Sequence, residues 1–192
     1  MADHATKSVV AKPQASINVG MRDLAESKID AFAGAGNTGA MMVSSLYNIK
    51  TIGEIERPAL TTVLPQRSGT TGVLLDVGAN ADVKPENLLR FAVLGNVYAK
   101  AVYGIEEPRV GLLSIGEEKE KGNLLTKAAF PLMEESDKFK FIGNIEGRDL
   151  FNDVVDVAVC DGFTGNIVVK TCEGFCYNLL RRGVSDDFLN RF

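Results

Sequence analysis

Imidazole, thiol and long apolar runs are what this sequence has least of. Its one histidine, His4, stands near the N-terminus, so a surface or terminal-helix role is expected for it rather than catalysis. The three cysteines, Cys160, Cys172 and Cys176, form no even, regularly spaced set, which suits a reducing compartment rather than a disulfide framework. Cys172 and Cys176 fall on one face of an expected helix, but the further ligands of a tetrahedral zinc site are not nearby. All three are read as buried or neutral thiols, with no metal. No apolar stretch reaches the roughly 18 residues of a spanning helix. The opening "MADHATKSVV" also lacks the apolar core of a signal peptide, so the cytoplasm is the expected location. A basic surplus is missing too: 21 Lys and Arg against 25 Asp and Glu leave a net charge of −4, with the signs interspersed, which argues against nucleic-acid binding. Solenoid-type repeats and low-complexity segments are absent from the sequence.

What is present is an alternation of short apolar runs and helical patterns. With 192 residues, 45% of them hydrophobic, the chain can build one substantial domain or a large part of a two-lobed one. Ile17, Met21 and Leu24 predict an amphipathic helix over 14–26. Strands are expected at 29–33, 59–64, 72–77, 109–115, 139–145 and 155–160, and helices at 38–49, from Pro85 to about Tyr103, at 123–135 and at 164–180. Pro131 is expected to kink or shorten the helix that contains it. The strand runs are continuously apolar rather than alternating, the pattern of a parallel sheet covered on both faces. The expected fold class is therefore α/β. In such sheets ligands sit beyond the carboxyl ends of the strands.

The segments after four of these runs share one chemistry: "GAGNTG", "GANADVKP", "GEEKEKGN" and "DGFTGN". Glycine lets the backbone approach a ligand closely, and free N–H groups at a following helix start attract anions. The same residues also serve as turns and N-caps, which explains any single loop; together the four point to an anion pocket. Gly34, Gly36 and Gly39 spell G-x-G-x-x-G, which raises a dinucleotide reading. A nicotinamide site wants an acid about 20 positions on, at the end of the next strand. Glu54 and Glu56 stand at roughly that distance but precede the next strand, so a general anion cradle is favoured. Neither a G-x-S-x-G nucleophile elbow nor a G-x-x-x-x-G-K-[ST] phosphate loop occurs. A substrate that supplies its own nucleophile, such as phosphate, fits that lack.

The segments "AGNTGAMM", "RPALTTVLP", "LLDVGANADVKPE", "GLLSIGEEKEKGNLLT", "FIGNIEGRDLF" and "CDGFTGNIVVK" together resemble the bacterial phosphate acyltransferases of phospholipid synthesis, the PlsX family, collinearly over about the whole chain. The "EEKEKGN" and "ADVKPE" variants resemble its Bacteroidota branch. The resemblance implies a three-layer α/β/α sandwich with a mostly parallel sheet, related to phosphate acetyltransferases and isocitrate dehydrogenase-like folds. It implies transfer of an acyl group from acyl-[acyl carrier protein] to inorganic phosphate, giving acyl phosphate and free carrier protein. It also implies a homodimer, peripheral membrane association, and no metal or organic cofactor. The family's catalytic lysine, before Gly-Asn, falls here on Lys121, and its catalytic asparagine, ending "DGFTGN", on Asn166. A Lys ammonium suits holding phosphate, and an Asn amide suits donation to a thioester oxygen becoming an oxyanion. Gly36, Asn37, Thr38, Gly39, Asp76, Gly78, Asn80, Asn123, Asp161, Gly162, Thr164 and Gly165 are the expected phosphate- and substrate-binding residues. Arg181 and Arg182 are the candidate dock for the acidic carrier protein.

Members of that family begin with a strand and a D-x-M-G-G-D loop and continue well past the last helix seen here. The expectation is therefore one α/β domain over 1–192, a piece of a longer acyltransferase. Three further readings stay open on the sequence alone: an NAD-linked dehydrogenase using the glycine loop, a non-catalytic anion-binding domain, and a phosphate acetyltransferase that uses coenzyme A.

Overall fold

The computed structural model describes residues 5–53 and 55–183, so His4, Glu54 and the closing "VSDDFLNRF" lie outside the described residues. The chain forms two compact units, Met1–Pro58 and Ala59–Phe192.

The first unit is helical. Helix α1 (Ala5–Ala11) and helix α2 (Ser16–Ala25) both pack against α3 (Thr38–Asn48). A buried asparagine holds them in register: Asn18 Nδ2 donates to the carbonyls of Val9 (2.8 Å) and Lys12 (2.9 Å), and its Oδ1 accepts from Ser44 Oγ (2.7 Å). Met21 is buried at the predicted apolar position of α2. The run 29–33 is not a strand. Phe32 lays its ring against Gly20, where any Cβ would overlap it, while Ile29, Asp30, Ala31 and Ala33 are exposed. The apolar side chain of this run is spent on helix packing, and no ladder partner stands beside it among the described residues.

The second unit is built on one sheet. Strands β1 (Thr61–Pro65), β2 (Thr71–Leu75), β3 (Arg109–Leu113), β4 (Lys140–Ile145) and β5 (Val157–Val159) lie in the order β1-β2-β5-β3-β4. The pairs β2–β5, β5–β3 and β3–β4 are parallel, and only β1 runs antiparallel, to β2. Helices α4 (Pro85–Tyr103) and α5 (Leu124–Glu134) pack on one face of the sheet, and α6 (Gly162–Arg181) lies on the other beside a 3₁₀ turn, Gly147–Phe151. Val73, Leu75, Val110, Leu112, Val157 and Val159 face α4 and α5, against Leu88, Phe91, Ala99 and Met133. Leu74, Leu113, Ala158 and Ile145 face the other way, towards Val168 and Val169 of α6. The continuous apolar strands thus fill two cores at once, as the three-layer expectation required. Full burial of a Leu or Phe such as Leu88 or Phe91 contributes about 2–3 kcal/mol.

Helix boundaries follow local chemistry. Pro85 opens α4, Asn87 Oδ1 accepts from the Lys84 N–H (3.0 Å), and Gly104 closes it at φ 67°, a left-handed position that suits glycine. Pro131 does not end α5: it lies inside the last turn, and the helix runs on to Glu134. No helix among the described residues is long and apolar enough to cross a membrane.

Candidate functional site

Because β2, β5, β3 and β4 all run the same way, their carboxyl ends share one edge of the sheet. The segments after β2, β3 and β5, which hold most of the sequence-predicted site residues, therefore emerge side by side. With strand spacings of about 4.8 Å, the loops after β2 and β3, separated by β5, start roughly 10 Å apart.

The β2–β5 side is organised by Asp76, which is 0% exposed. Its Oδ1 accepts from the N–H groups of Leu60 and Ala79 (both 3.0 Å), and its Oδ2 from the Asn80 N–H and Asn80 Nδ2 (both 2.8 Å). Both carboxylate oxygens are thus engaged with the protein's own donors. The Gly162 N–H donates to the Asn80 carbonyl at 2.8 Å, which ties the start of α6 to this loop. A Cβ on Gly165 would stand 1.9 Å from the Asp76 carbonyl oxygen, and one on Gly162 would stand 2.7 Å from that of Asn80. Only glycine lets α6 begin this close to the end of β2. Gly78 borders Asn166, whose Oδ1 lies 3.5 Å from where a Gly78 Cβ would be. Asp161 caps α6, accepting from the Thr164 N–H (2.8 Å) and Thr164 Oγ1 (2.7 Å), an arrangement worth about 1 kcal/mol. Below them Cys160 is buried, and burial pushes its thiol well above the ordinary range; it packs on the Asp76 carbonyl as a neutral group.

On the β3–β4 side, Asn123 caps α5, its Oδ1 accepting from the Thr126 N–H at 2.9 Å. The amides of Leu124 and Leu125, which open α5, have no acceptor among the described residues. Lys121 is exposed, its stem passing over Gly116, and its backbone N–H donates to the Glu118 carbonyl at 3.0 Å. Asn166 is exposed as well. The side chains of Lys121 and Asn166 engage no protein partner among the described residues.

Two residues outside the sequence-predicted set belong to this edge. Asn144, at the end of β4, is 6% exposed; its Nδ2 donates to the Glu118 carbonyl at 2.8 Å, while its Oδ1 is buried without a partner. Ser114, just after β3, also buries an unpartnered Oγ. A buried polar atom left unmatched costs about 1–3 kcal/mol, so its place in a fold calls for an explanation. For Asn144 the only sign in the sequence is an uncharged polar residue near the end of the largely apolar run "FKFIGNI".

Gly36, Asn37, Thr38 and Gly39 belong to the first unit. Asn37 caps α3, accepting from the Ala40 N–H at 3.1 Å. The glycine loop does not follow a strand, so it lacks the strand–loop–helix context of a dinucleotide site. Arg181 closes α6, where it sits 5.1 Å over the ring of Tyr177, and Arg182 follows, both exposed. A surface depression of about 410 Å³, floored by Phe130, Phe141 and Ile142 and edged by the Lys119–Glu134 ion pair, contains none of the sequence-predicted site residues.

A family model described as "Fatty acid synthesis protein" matches residues 1–185. The phosphate acyltransferase of Halothermothrix orenii is 50% identical over 166 residues, covering 86% of this chain and 49% of that protein. That of Halalkalibacterium halodurans is 47% identical over 192 residues, covering 98% and 57%. That of Bacillus subtilis is 48% identical over 163 residues, covering 85% and 49%. The chain thus spans about half the length of these curated relatives. Among solved structures, the EutD phosphotransacetylase of Staphylococcus aureus superposes with a TM-score of 0.63 at 16% identity, covering 89% of this chain and 62% of that one. A branched-chain phosphotransacylase of Enterococcus faecalis superposes at 0.62 with 15% identity, covering 84% and 65%. These two likenesses concern the fold alone.

Proposed function

The chain belongs to the fatty acid synthesis protein family, and from that premise we propose that it carries the catalytic edge of a phosphate acyltransferase. In this reading acyl-[acyl carrier protein] and inorganic phosphate give acyl phosphate and free carrier protein. A phosphate oxygen attacks the thioester carbonyl, the carbon–oxygen bond forms, and the carbon–sulfur bond breaks. The carrier thiolate leaves and takes a proton. Lys121, beside the unengaged amides that open α5, holds the phosphate and offsets its charge. Asn166 donates its amide to the thioester oxygen as charge builds there. Asn123, Asp161 and Thr164 shape the two helix starts, and Asp76, Asn80, Gly78, Gly162 and Gly165 fix the wall against which Asn166 stands. Within the first unit, Gly36, Asn37, Thr38 and Gly39 are read as an anion-binding loop of their own. Arg181 and Arg182 offer a basic landing point for the acidic carrier protein in a chain that is otherwise net negative.

The observation that carries this reading is that two exposed, unengaged side chains, Lys121 in the loop after β3 and Asn166 in the first turns of α6, both follow the carboxyl ends of neighbouring parallel strands. One assay tests it: acyl phosphate trapped as hydroxamate, measured for this chain and for any longer gene product that contains it. Asn166→Ala lowers turnover by about 100- to 1000-fold. Lys121→Ala raises the KM for phosphate. The double change Arg181→Glu with Arg182→Glu raises the KM for carrier protein at low salt and leaves that for phosphate alone. Near-normal hydroxamate formation by the Asn166→Ala protein would remove that residue from the chemistry, and an unchanged carrier KM would remove the arginines from the dock.

A further inference from the structure

We propose that Asn144 is a positioning residue for Lys121, suspending the turn that presents its ammonium; the proposal rests on the reading of Lys121 as the phosphate-holding group. Leu112 and Asn144 are partners in the β3–β4 ladder, and residues opposite one another in a ladder share a face. Leu112 faces α4 and α5, so Asn144 faces them too. Ser114, two residues beyond Leu112, lies on that same face, and its N–H donates to the Ile145 carbonyl at 2.8 Å. Beneath the 116–122 loop, then, the ends of β3 and β4 offer two polar side chains where the sheet is otherwise apolar.

The loop hangs from one of them. The Glu118 carbonyl accepts twice: from Asn144 Nδ2 at 2.8 Å and from the Lys121 N–H at 3.0 Å. The first bond fixes the carbonyl to the rigid sheet, and the second fixes Lys121 to the carbonyl. No other hydrogen bond among the described residues joins the 117–121 segment to the ends of β3 and β4. Further along, Gly122 is pressed between Ser114 and Thr126: a Cβ there would stand 2.8 Å from Ser114 Oγ and would overlap Thr126 Oγ1. Lys121 is therefore held from behind through Glu118 and from ahead through Gly122. An apolar residue at 144 would fill the same space without leaving an oxygen unmatched, yet it would release the carbonyl. The amide therefore serves the turn rather than the packing.

Asn144→Asp keeps the shape and removes the donor, so it is the informative change; Asn144→Leu is its apolar counterpart. Two measurements on the chain itself decide the matter. Amide hydrogen exchange at Lys121 accelerates by about tenfold or more in Asn144→Asp, as expected for loss of one anchoring bond, while exchange within β3 and β5 stays as in the wild type. An unchanged Lys121 amide in both variants overturns the proposal. Titration with inorganic phosphate, followed by calorimetry, gives the functional half. Asn144→Asp weakens binding about tenfold in the wild-type background and has no further effect in Lys121→Ala, because both act through one group. Equal weakening in the two backgrounds assigns Asn144 a merely structural role and overturns the proposal while the reading of Lys121 stands. No effect of Lys121→Ala on phosphate, or no phosphate binding at all, overturns the reading of Lys121 and this proposal with it.

Discussion

The two edges of the sheet handle polar groups in opposite ways. At the amino ends of β3 and β5, Arg109 reaches Asp156 with Nε and Nη2, both at 2.9 Å, and its backbone N–H adds a third bond at 2.8 Å. Arg109 Nη1 donates to the Asp153 carbonyl at 2.6 Å, and the Asp153 carboxylate accepts from both the N–H and the hydroxyl of Ser68. Gln66 completes the seam, donating to the Leu150 carbonyl (2.9 Å) and accepting from the Asp153 N–H (2.8 Å). Each of these groups is matched within the protein; towards the amino end of β4 only Asn96 departs from this, its Nδ2 donating to the Lys138 carbonyl at 3.1 Å while its buried Oδ1 has no partner among the described residues. At the carboxyl ends of the same strands, Asp76, Asn123 and Asp161 are matched as well, but Lys121, Asn166, Ser114 and Asn144 each keep polar capacity unspent. Polarity alone therefore says little about function. What separates the two edges is how much of the hydrogen-bonding capacity closes on itself.

The comparison breaks most visibly at Asp76. Asp76→Ala strips four donors of their acceptor and is expected to cost about 4 kcal/mol, read as a drop in the denaturant midpoint. A loss below about 1 kcal/mol would mean that water replaces the carboxylate and that the loop does not depend on it. A smaller effect is expected at the opposite edge. Arg109→Met removes a bidentate pair that is partly open to solvent, for about 1–2 kcal/mol. It should leave phosphate binding unchanged, and a phosphate defect would show that the edges are coupled.

The smallest effect sharpens the contrast by pH. Burial on its own would raise the Asp156 carboxyl, but the hydrogen bonds from Arg109 outweigh it and hold the group below the usual aspartate range. Its contribution is therefore complete above the unfolded value of about 4 and disappears as pH falls through the lower folded value. The stability gap between wild type and Arg109→Met should be flat from neutral pH down to about pH 5 and narrow below about pH 4. A gap that stays constant into acid would assign the pair's value to packing.

Much of the fold could be read before any coordinates. The α4 helix declared itself through Pro85 and the mostly apolar stretch that follows it, and β2, β3, β4 and β5 through apolar runs that tertiary packing then used on both faces. The loops after them were legible because glycine, asparagine and aspartate mark turns and caps whatever else they do. The failures have physical causes. The run 29–33 is as apolar as a strand, but nothing in five residues says whether a ladder or a helix face will take it. The direction of β1 depends on the turn at 66–70, which makes a hairpin with β2, whereas the other strands join by crossovers. Arg109 and Asp156 meet across 47 positions, a distance no local pattern spans. Asn144 was hidden because its neighbours in sequence are strand-like and its partner, the Glu118 carbonyl, is backbone and carries no letter of its own. The proposed site divides in the same way: Lys121 and Asn166 are proposed through family likeness, and the scaffolding around Asp76 shows only through its bonds.

The close approach of Gly165 to Asp76 also has a temporal side. The hairpin of β1 and β2 needs only chain that is near in sequence, so it can pair soon after it leaves the ribosome. Its other neighbour, β5, is complete only when Cys160, 84 residues after Asp76, follows it. At translation rates of roughly 5–20 residues per second, Asp76 waits about 4–17 s for the strand and helix that bury it. During that interval β2 presents an open edge and a carboxylate without its lid. The edge proposed to carry the chemistry is thus completed only once β5 and the start of α6 have emerged, and β2 is most exposed to mispairing in the interval before that.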